Sequence, residues 1–227
     1  MKNILKPAFA ATLPVMAGYV ILGFGFGIIL KTNGYSIALA AAMSMLIYAG
    51  SMQYIAIGLL TGGASLITAA LTTLMVNMRH LFYGITMLDK YKATGKRKPY
   101  LIFSLTDETY SLVCDGCPEI PEQHKNDYYF LVSILNHSYW IIGSVAGAVA
   151  GSLVSFNSQG IDFALTALFL TVFTEQWLSN RKHLPALIGV GASVCALVLF
   201  GKDNFLIPAM LMIALALCLY KEEDSHE

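Results

Sequence analysis

Charge is what this sequence has little of. Lysine, arginine, aspartate and glutamate make up 12% of its 227 residues, about half the ~25% of an ordinary soluble domain. The two signs balance at 14 each. A soluble globule with so little charge would have to hold large apolar patches against water, which excludes a cytosolic enzyme. A net charge of zero offers no attraction to a phosphate backbone or an anionic surface, which excludes a nucleic-acid partner. Cysteine is also sparse, with four residues. Cys195 and Cys218 sit in apolar runs as small hydrophobes, while Cys114 and Cys117 form C-D-G-C in a polar loop, which is half a zinc site with no thioredoxin-like surroundings. There is no H-E-x-x-H pair and no sustained alternation of period two, so neither a zincin nor an outer-membrane barrel fits.

Apolar sequence is what the chain has in abundance: 56% of its residues are hydrophobic and the mean hydropathy is +0.64. The basic start Met1 to Lys6 resembles a signal peptide, but the apolar run continues over 8–30, longer than the ~7–15 residues of a signal core. It reads as a first membrane helix. Further stretches cover 36–60, 64–88, 99–113, 128–153, 161–178, 184–201 and 204–220. At about 20 apolar residues per crossing the chain has room for at most about eight. These features predict an all-α polytopic membrane protein, one integral membrane domain over 1–227, in the inner (cytoplasmic) membrane. It would have about 6–8 transmembrane helices, including re-entrant or broken ones.

Three basic clusters punctuate the chain: Lys2 with Lys6, then Lys90, Lys92, Lys96, Arg97 and Lys98, then Arg181 with Lys182. All three should be cytoplasmic. Three apolar stretches separate each cluster from the next, yet clusters on one side need an even number of crossings. Either one stretch in each half fails to cross, or one basic loop lies on the other side. In the second interval the candidate is 99–113, which is short and carries Asp107 and Glu108. In the first, 36–60 and 64–88 join through the uncharged Thr61-Gly62-Gly63-Ala64-Ser65 and could meet at membrane depth. A defect in each half suggests an inverted repeat.

The remaining polar residues gather in a few places. Val76-Asn77-Met78-Arg79-His80-Leu81-Phe82-Tyr83 puts four polar side chains into two turns. On helical spacing Thr73, Asn77, His80 and Gly84 share one stripe, with Arg79 and Tyr83 beside it. Arg79 either finds a partner at depth or snorkels towards the basic loop. The opposite sign stands in Ser104-Leu105-Thr106-Asp107-Glu108-Thr109-Tyr110-Ser111. There Ser104, Asp107, Glu108 and Ser111 fit one helical face whose carboxylates could accept a proton. Equally, T-D-E-T is an N-cap followed by an acidic first turn. Tyr48-Ala49-Gly50-Ser51-Met52-Gln53-Tyr54 interrupts an apolar run; an unwound turn there would expose backbone groups to a zwitterion, or Gln53 simply bonds across helices. Asn136-His137-Ser138-Tyr139-Trp140 would line the same cavity or sit in an interfacial belt. Gly143, Gly147 and Gly151 repeat every four residues, echoed by Gly23 and Gly27, and permit close helix approach within the chain or to a partner.

Taken together, the 48–54 run, Leu71-Thr72-Thr73-Leu74-Met75-Val76-Asn77-Met78-Arg79-His80-Leu81-Phe82-Tyr83-Gly84 and Leu105-Thr106-Asp107-Glu108-Thr109-Tyr110 resemble the AzlC family, the large subunit of branched-chain amino acid exporters. Leu13-Pro14-Val15-Met16-Ala17-Gly18-Tyr19 and Gly23-Phe24-Gly25-Phe26-Gly27 are similar to its first helix, although Leu22-Gly23-Phe24 stands where the family often has Pro-Phe-Gly. The likeness covers roughly residues 8–115 and is mainly one of hydropathy after Pro118. It implies export of leucine, isoleucine, valine and methionine, with a small hydrophobic AzlD-type partner and no cofactor. The family-like polar set is Gln53, Asn77, Arg79, His80, Tyr83, Asp107, Glu108 and Thr109. With Gly50 and Ser51 from the interrupted run, these are the expected substrate-binding residues. In this reading the chain is not an enzyme. Asp107 or Glu108 receives the substrate ammonium or a coupling proton from the proton motive force, and Arg79 pairs with a carboxylate. The rivals are a non-transporting scaffold subunit that uses the glycine stripe, and an intramembrane metalloenzyme with His80, His137, Asp107 and Glu108 as ligands.

Overall fold

The computed structural model describes residues 2–114, 120–153, 170, 173–174, 177–178 and 183–219. Ten α-helices are found among them. They are α1 (Lys2–Thr32), α2 (Ile37–Leu46), α3 (Gly50–Thr61), α4 (Leu66–Val76), α5 (Met78–Met87), α6 (Lys98–Phe103), α7 (Asp107–Val113), α8 (Lys125–Leu153), α9 (Leu184–Asn204) and α10 (Leu206–Leu219). Short 3₁₀ turns precede α6 and α8. No strand occurs among the described residues, and the chain is a helical membrane protein. Among the described residues three helical segments, Ile4–Thr32, Glu122–Leu153 and Leu184–Gly201, are long and apolar enough to cross a bilayer. The chain divides into two compact units, residues 1–69 with 76–165, and residues 70–75 with 166–227.

The first unit is organised on α1 and α8, which run side by side in the same direction. Thr12 Oγ1 lies 3.2 Å from Tyr139 OH, and further along, Gly151 packs over Ile28 and Lys31. Glycine is what permits this approach. A Cβ on Gly27 would fall 2.1 Å from the Ser144 carbonyl oxygen, and one on Gly147 would fall 2.0 Å from that of Phe24. The backbones are therefore in direct contact, as small-residue stripes allow in lipid. Despite Pro7 and Pro14, α1 continues without interruption. Its first turns join a core at the basic end: Ile4 and Ala8 pack with Met87, Tyr91, Leu101, Tyr128, Tyr129 and Val132. The amino terminus and the 90–98 loop thus share one end of the unit, as their positive charge requires.

Between these supports lie two helical hairpins of opposite origin. After the turn at Asn33 and Gly34, α2 leads inward from the far end to Ser44, whose carbonyl oxygen meets His137 Nε2 at 3.1 Å. The chain reverses at Ile47-Tyr48-Ala49, and α3 leads out again. Gln53 bonds Trp140, Tyr54 OH donates to the Leu22 carbonyl at 2.5 Å, and Thr61 shares a groove with Ile29 and Asn33 at the far end. The second hairpin enters from the basic end. Arg97, at its start, pairs with Asp127, and at its finish the Cys114 carbonyl accepts from Lys90, so both of its ends are tied at that end. In between, α6 and α7 reverse at Ser104-Leu105-Thr106, where Thr106 meets Tyr19.

Both reversals fall near mid-depth. Tyr19 stands 13 residues after Lys6 and 12 before Lys31 on α1, about 20 Å from each at ~1.5 Å per residue. A hydrocarbon core is about 30 Å thick, which puts Tyr19 near its middle. The two tips touch there, with the Tyr48 and Phe103 rings 6.4 Å apart. This arrangement accounts for the parity of the basic clusters at positions 6 and 90: α1 crosses, the α2–α3 hairpin does not, and the chain is back at the basic end by Lys90.

Several expectations need correction. The stretch 36–60 is two helices, and 64–88 is also two, parted at Asn77, so Thr73, Asn77, His80 and Gly84 share no continuous stripe. Ser104 is likewise separated from the Asp107, Glu108 and Ser111 face by the turn that Thr106 caps. Thr61 to Ser65 join helices at the far end rather than at mid-depth, because α3 has already left the middle by Ile57. The stretch 161–178 lies almost wholly outside the described residues, as do Cys117, Arg181 and Lys182. In the second unit α9 and α10 pack against each other, with a kink at Gly201, whose φ is +72°. Only 6% of the apolar window of α9 is buried, and it exposes Leu187, Val190, Val194 and Val198.

Opposed hairpins make a labelling prediction. Single cysteines in place of Gly34 and Gly63 should react with a membrane-impermeant thiol reagent from one side of the membrane, and cysteines in place of Lys96 and Gln123 from the other. Reaction of residues 34 and 63 from opposite sides would contradict this topology.

Candidate functional site

Each interruption places a polar side chain where a second half-helix begins. Ser51 is the second residue of α3, Arg79 the second of α5 and Asp107 the first of α7. These three come together. The Arg79 guanidinium forms an ion pair through Nη1 with Asp107 Oδ2 and donates through Nη2 to Ser51 Oγ at 3.1 Å. The positive ends of α3 and α5 therefore lie beside a guanidinium, a setting that favours an anion. The side chains of Arg79 and Asp107 are 38% and 33% exposed, so the pair is accessible rather than sealed. Arg79 Nε and Asn77 Oδ1 are buried and have no hydrogen-bond partner among the described residues. A donor and an acceptor thus stand unused beside the pair.

Local sequence explains each break. At Tyr48 the backbone takes φ +45°, a left-handed value that a tyrosine adopts only when its surroundings impose it. Its ring is buried between Tyr19, Phe103 and His137. Gly50 follows because Trp140 lies against it, 3.0 Å from where a Cβ would stand. Asn77, at φ −93° and ψ 5°, sits in the bridge region, and its carbonyl accepts from the His80 backbone N–H at 2.9 Å. Thr106 is an N-cap: its hydroxyl accepts from the Thr109 backbone N–H at 3.3 Å, with Asp107 and Glu108 in the first turn.

The other expected residues divide by surroundings. Glu108 is exposed, yet its Oε2 accepts from Tyr19 OH at 2.6 Å, and Tyr19 OH lies 2.6 Å from Thr106 Oγ1. Thr109 is buried and accepts from Asn136 Nδ2 at 3.0 Å. His80 and Tyr83 lie within electrostatic range of Asp107, and the Tyr83 ring stacks on Tyr110 at 4.6 Å. Gln53 stands apart from the ion pair. It is wholly buried, accepting from Trp140 Nε1 at 2.9 Å and donating to Ser44 Oγ at 3.3 Å. Gly50 serves the same Trp140 contact. Among the described residues no three His, Cys, Asp or Glu side chains are grouped so as to share a metal ion. Sequence reasoning passed over Tyr19, although a lone tyrosine at the centre of an apolar helix was the available signal.

Two opposed helical hairpins with an ion pair beside their tips belong to a helical membrane protein. The family model described as AzlC protein matches residues 14–154, and the chain belongs to that family. It is 46% identical to the branched-chain amino acid transport protein AzlC of Bacillus subtilis (strain 168), over 92% of this chain and 82% of that one. It is 41% identical to an uncharacterized membrane protein of Helicobacter pylori (strain J99), over 96% and 95%. With the inner membrane protein YgaZ of Escherichia coli (strain K12) the identity is 27%, over 88% and 82%. No solved structure matches the chain.

The ion pair generates a stability prediction. Arg79→Gln leaves a carboxylate without its cation, whereas Arg79→Gln with Asp107→Asn removes both charges. The double variant should therefore unfold in detergent at a higher temperature than Arg79→Gln alone. The difference should be about 1 kcal/mol, small because the pair is one-third exposed. Strictly additive effects would show that the two groups are not coupled.

Proposed function

We propose that this chain is a secondary transporter subunit that exports branched-chain amino acids across the inner membrane: leucine, isoleucine and valine, with methionine as a further substrate. Residues 1–227 act as one integral membrane domain, with the 90–98 loop in the cytoplasm. The observation that carries this reading is the Arg79–Asp107 pair held near mid-depth between two opposed hairpins. A zwitterion presents the same two charges at similar spacing. Its carboxylate takes the place of Asp107 on Arg79 beside the start of α3, and its ammonium is received by the freed Asp107 or by Glu108. The branched side chain supplies the apolar contact. Interrupted helices around a central site are how many transporters handle such cargo, and the name of the Bacillus subtilis relative points to the same substrate class.

Energy for export comes from the proton motive force, with Asp107 or Glu108 as the carboxylate that takes up the coupling proton. A small hydrophobic AzlD-type subunit completes the assembly. A scaffold role is less well supported, because the Gly143, Gly147 and Gly151 stripe that it would spend on a partner is occupied within the chain by α1.

The test is efflux. Asp107→Asn should lower efflux of radiolabelled leucine by about tenfold or more, while the protein still reaches the membrane. Near-normal efflux from that variant would overturn the reading.

A further inference from the structure

His137 touches neither Arg79 nor Asp107, yet it holds both hairpins. Projecting from α8, its Nε2 lies 3.1 Å from the Ser44 carbonyl oxygen near the tip of the α2–α3 hairpin. Its Nδ1 lies 3.1 Å from Tyr100 OH in the α6–α7 hairpin. A carbonyl only accepts, so Nε2 carries the proton, and Nδ1 accepts from the phenol; neutral imidazole fills both positions. The ring is 4.2 Å from that of Tyr48 and 5.9 Å from that of Phe103, one aromatic from each tip.

The Ser44 carbonyl is available because the helix ends there. The Ile47 and Tyr48 backbone N–H groups both turn back to the Met43 carbonyl, at 2.9 and 3.3 Å, and leave Ser44 without a backbone donor from the turn. In lipid a carbonyl without a donor is costly, and His137 supplies the donor. The same ring packs against Tyr48 in its left-handed conformation. The tip that places Gly50 and Ser51 therefore depends on a side chain that is also bound to the opposite hairpin.

We propose that His137 is a clasp between the two re-entrant hairpins, a positioning residue whose paired hydrogen bonds keep both tips docked while the central site is closed. For either hairpin to open, its bond to His137 must break, while the other bond holds the remaining tip in place. The clasp acts on turnover more than on affinity, because it reaches Ser51 only through the tip and none of its own contacts involves Arg79, Asp107 or Ser51.

Two substitutions separate hydrogen bonding from packing. His137→Gln keeps an amide N–H for Ser44 and an amide oxygen for Tyr100 but loses the ring. His137→Phe keeps the ring and loses both bonds. In proteoliposomes holding the chain and its small partner, His137→Phe should lower the maximum rate of leucine efflux about tenfold, with KM within about twofold of the unaltered chain, and His137→Gln should keep the rate within about twofold. A second readout does not depend on transport. In a full-length chain whose own cysteines are changed to serine, Ala49→Cys at the buried tip should become several-fold more reactive towards a thiol reagent beside His137→Phe but not beside His137→Gln. The clasp is overturned if His137→Phe behaves like the unaltered chain in both assays, if His137→Gln is as impaired as His137→Phe, or if only KM moves. Absence of leucine flux in the unaltered chain would instead count against the transport reading, and the labelling comparison would still decide on the clasp.

Discussion

Opposite charges stay inside a bilayer only if each shelters the other or water reaches them. An arginine near the hydrocarbon centre costs about 2.5–3.5 kcal/mol on insertion scales, and an unpaired carboxylate is no cheaper. Arg79 and Asp107 meet that constraint together, with Ser51 as a further acceptor for the guanidinium. Their sheltering is why the surrounding helices are broken. A straight helix offers side chains only along its flank, whereas a half-helix beginning at mid-depth offers its first turn and its dipole as well. Three such half-helices bring Ser51, Arg79 and Asp107 to one place.

Broken helices create a second obligation, since every interruption frees backbone groups that lipid cannot satisfy. Thr106 meets part of it within its own turn. The Ser44 carbonyl does not meet it locally and is met from α8 by His137, while Asn136 and Trp140 of the same helix bond the side chains of Thr109 and Gln53. This helix is the polar spine of the first unit. Its other face lays the backbone of Gly143 and Gly147 directly on α1. Backbone contact on one side and side-chain bonding on the other explain why a moderately apolar helix is among the most buried long segments.

Much of this was legible in sequence. The helical class followed from hydropathy and run length, and the parity of the basic clusters left either a non-crossing segment or an outlying basic loop. The pairing of Arg79 with a carboxylate, the T-D-E-T cap and the glycine stripe were all visible as residue patterns. The position of the breaks was not. Hydropathy averages over Tyr48 and Asn77, because neither a tyrosine in left-handed conformation nor an asparagine in the bridge region changes the apolar count. Gln53 shows the limit from the other direction: it belongs to the family-like polar set, yet its partners Trp140 and Ser44 are brought to it by two different elements, a juxtaposition that spacing along the chain does not encode. Tyr19 went unweighted for the same reason, since its value lies in Glu108 and Thr106, nearly ninety residues away.

The central claim is that the Arg79–Asp107 pair lies at mid-membrane and gives way to the two charges of an amino acid. A density map of the chain in a lipid disc with leucine present tests it directly. The account predicts leucine with its carboxylate on the Arg79 guanidinium, level with Tyr19 and between the hairpin tips. Leucine bound elsewhere, or an Arg79–Asp107 pair lying in bulk water outside the hydrocarbon slab, would contradict it.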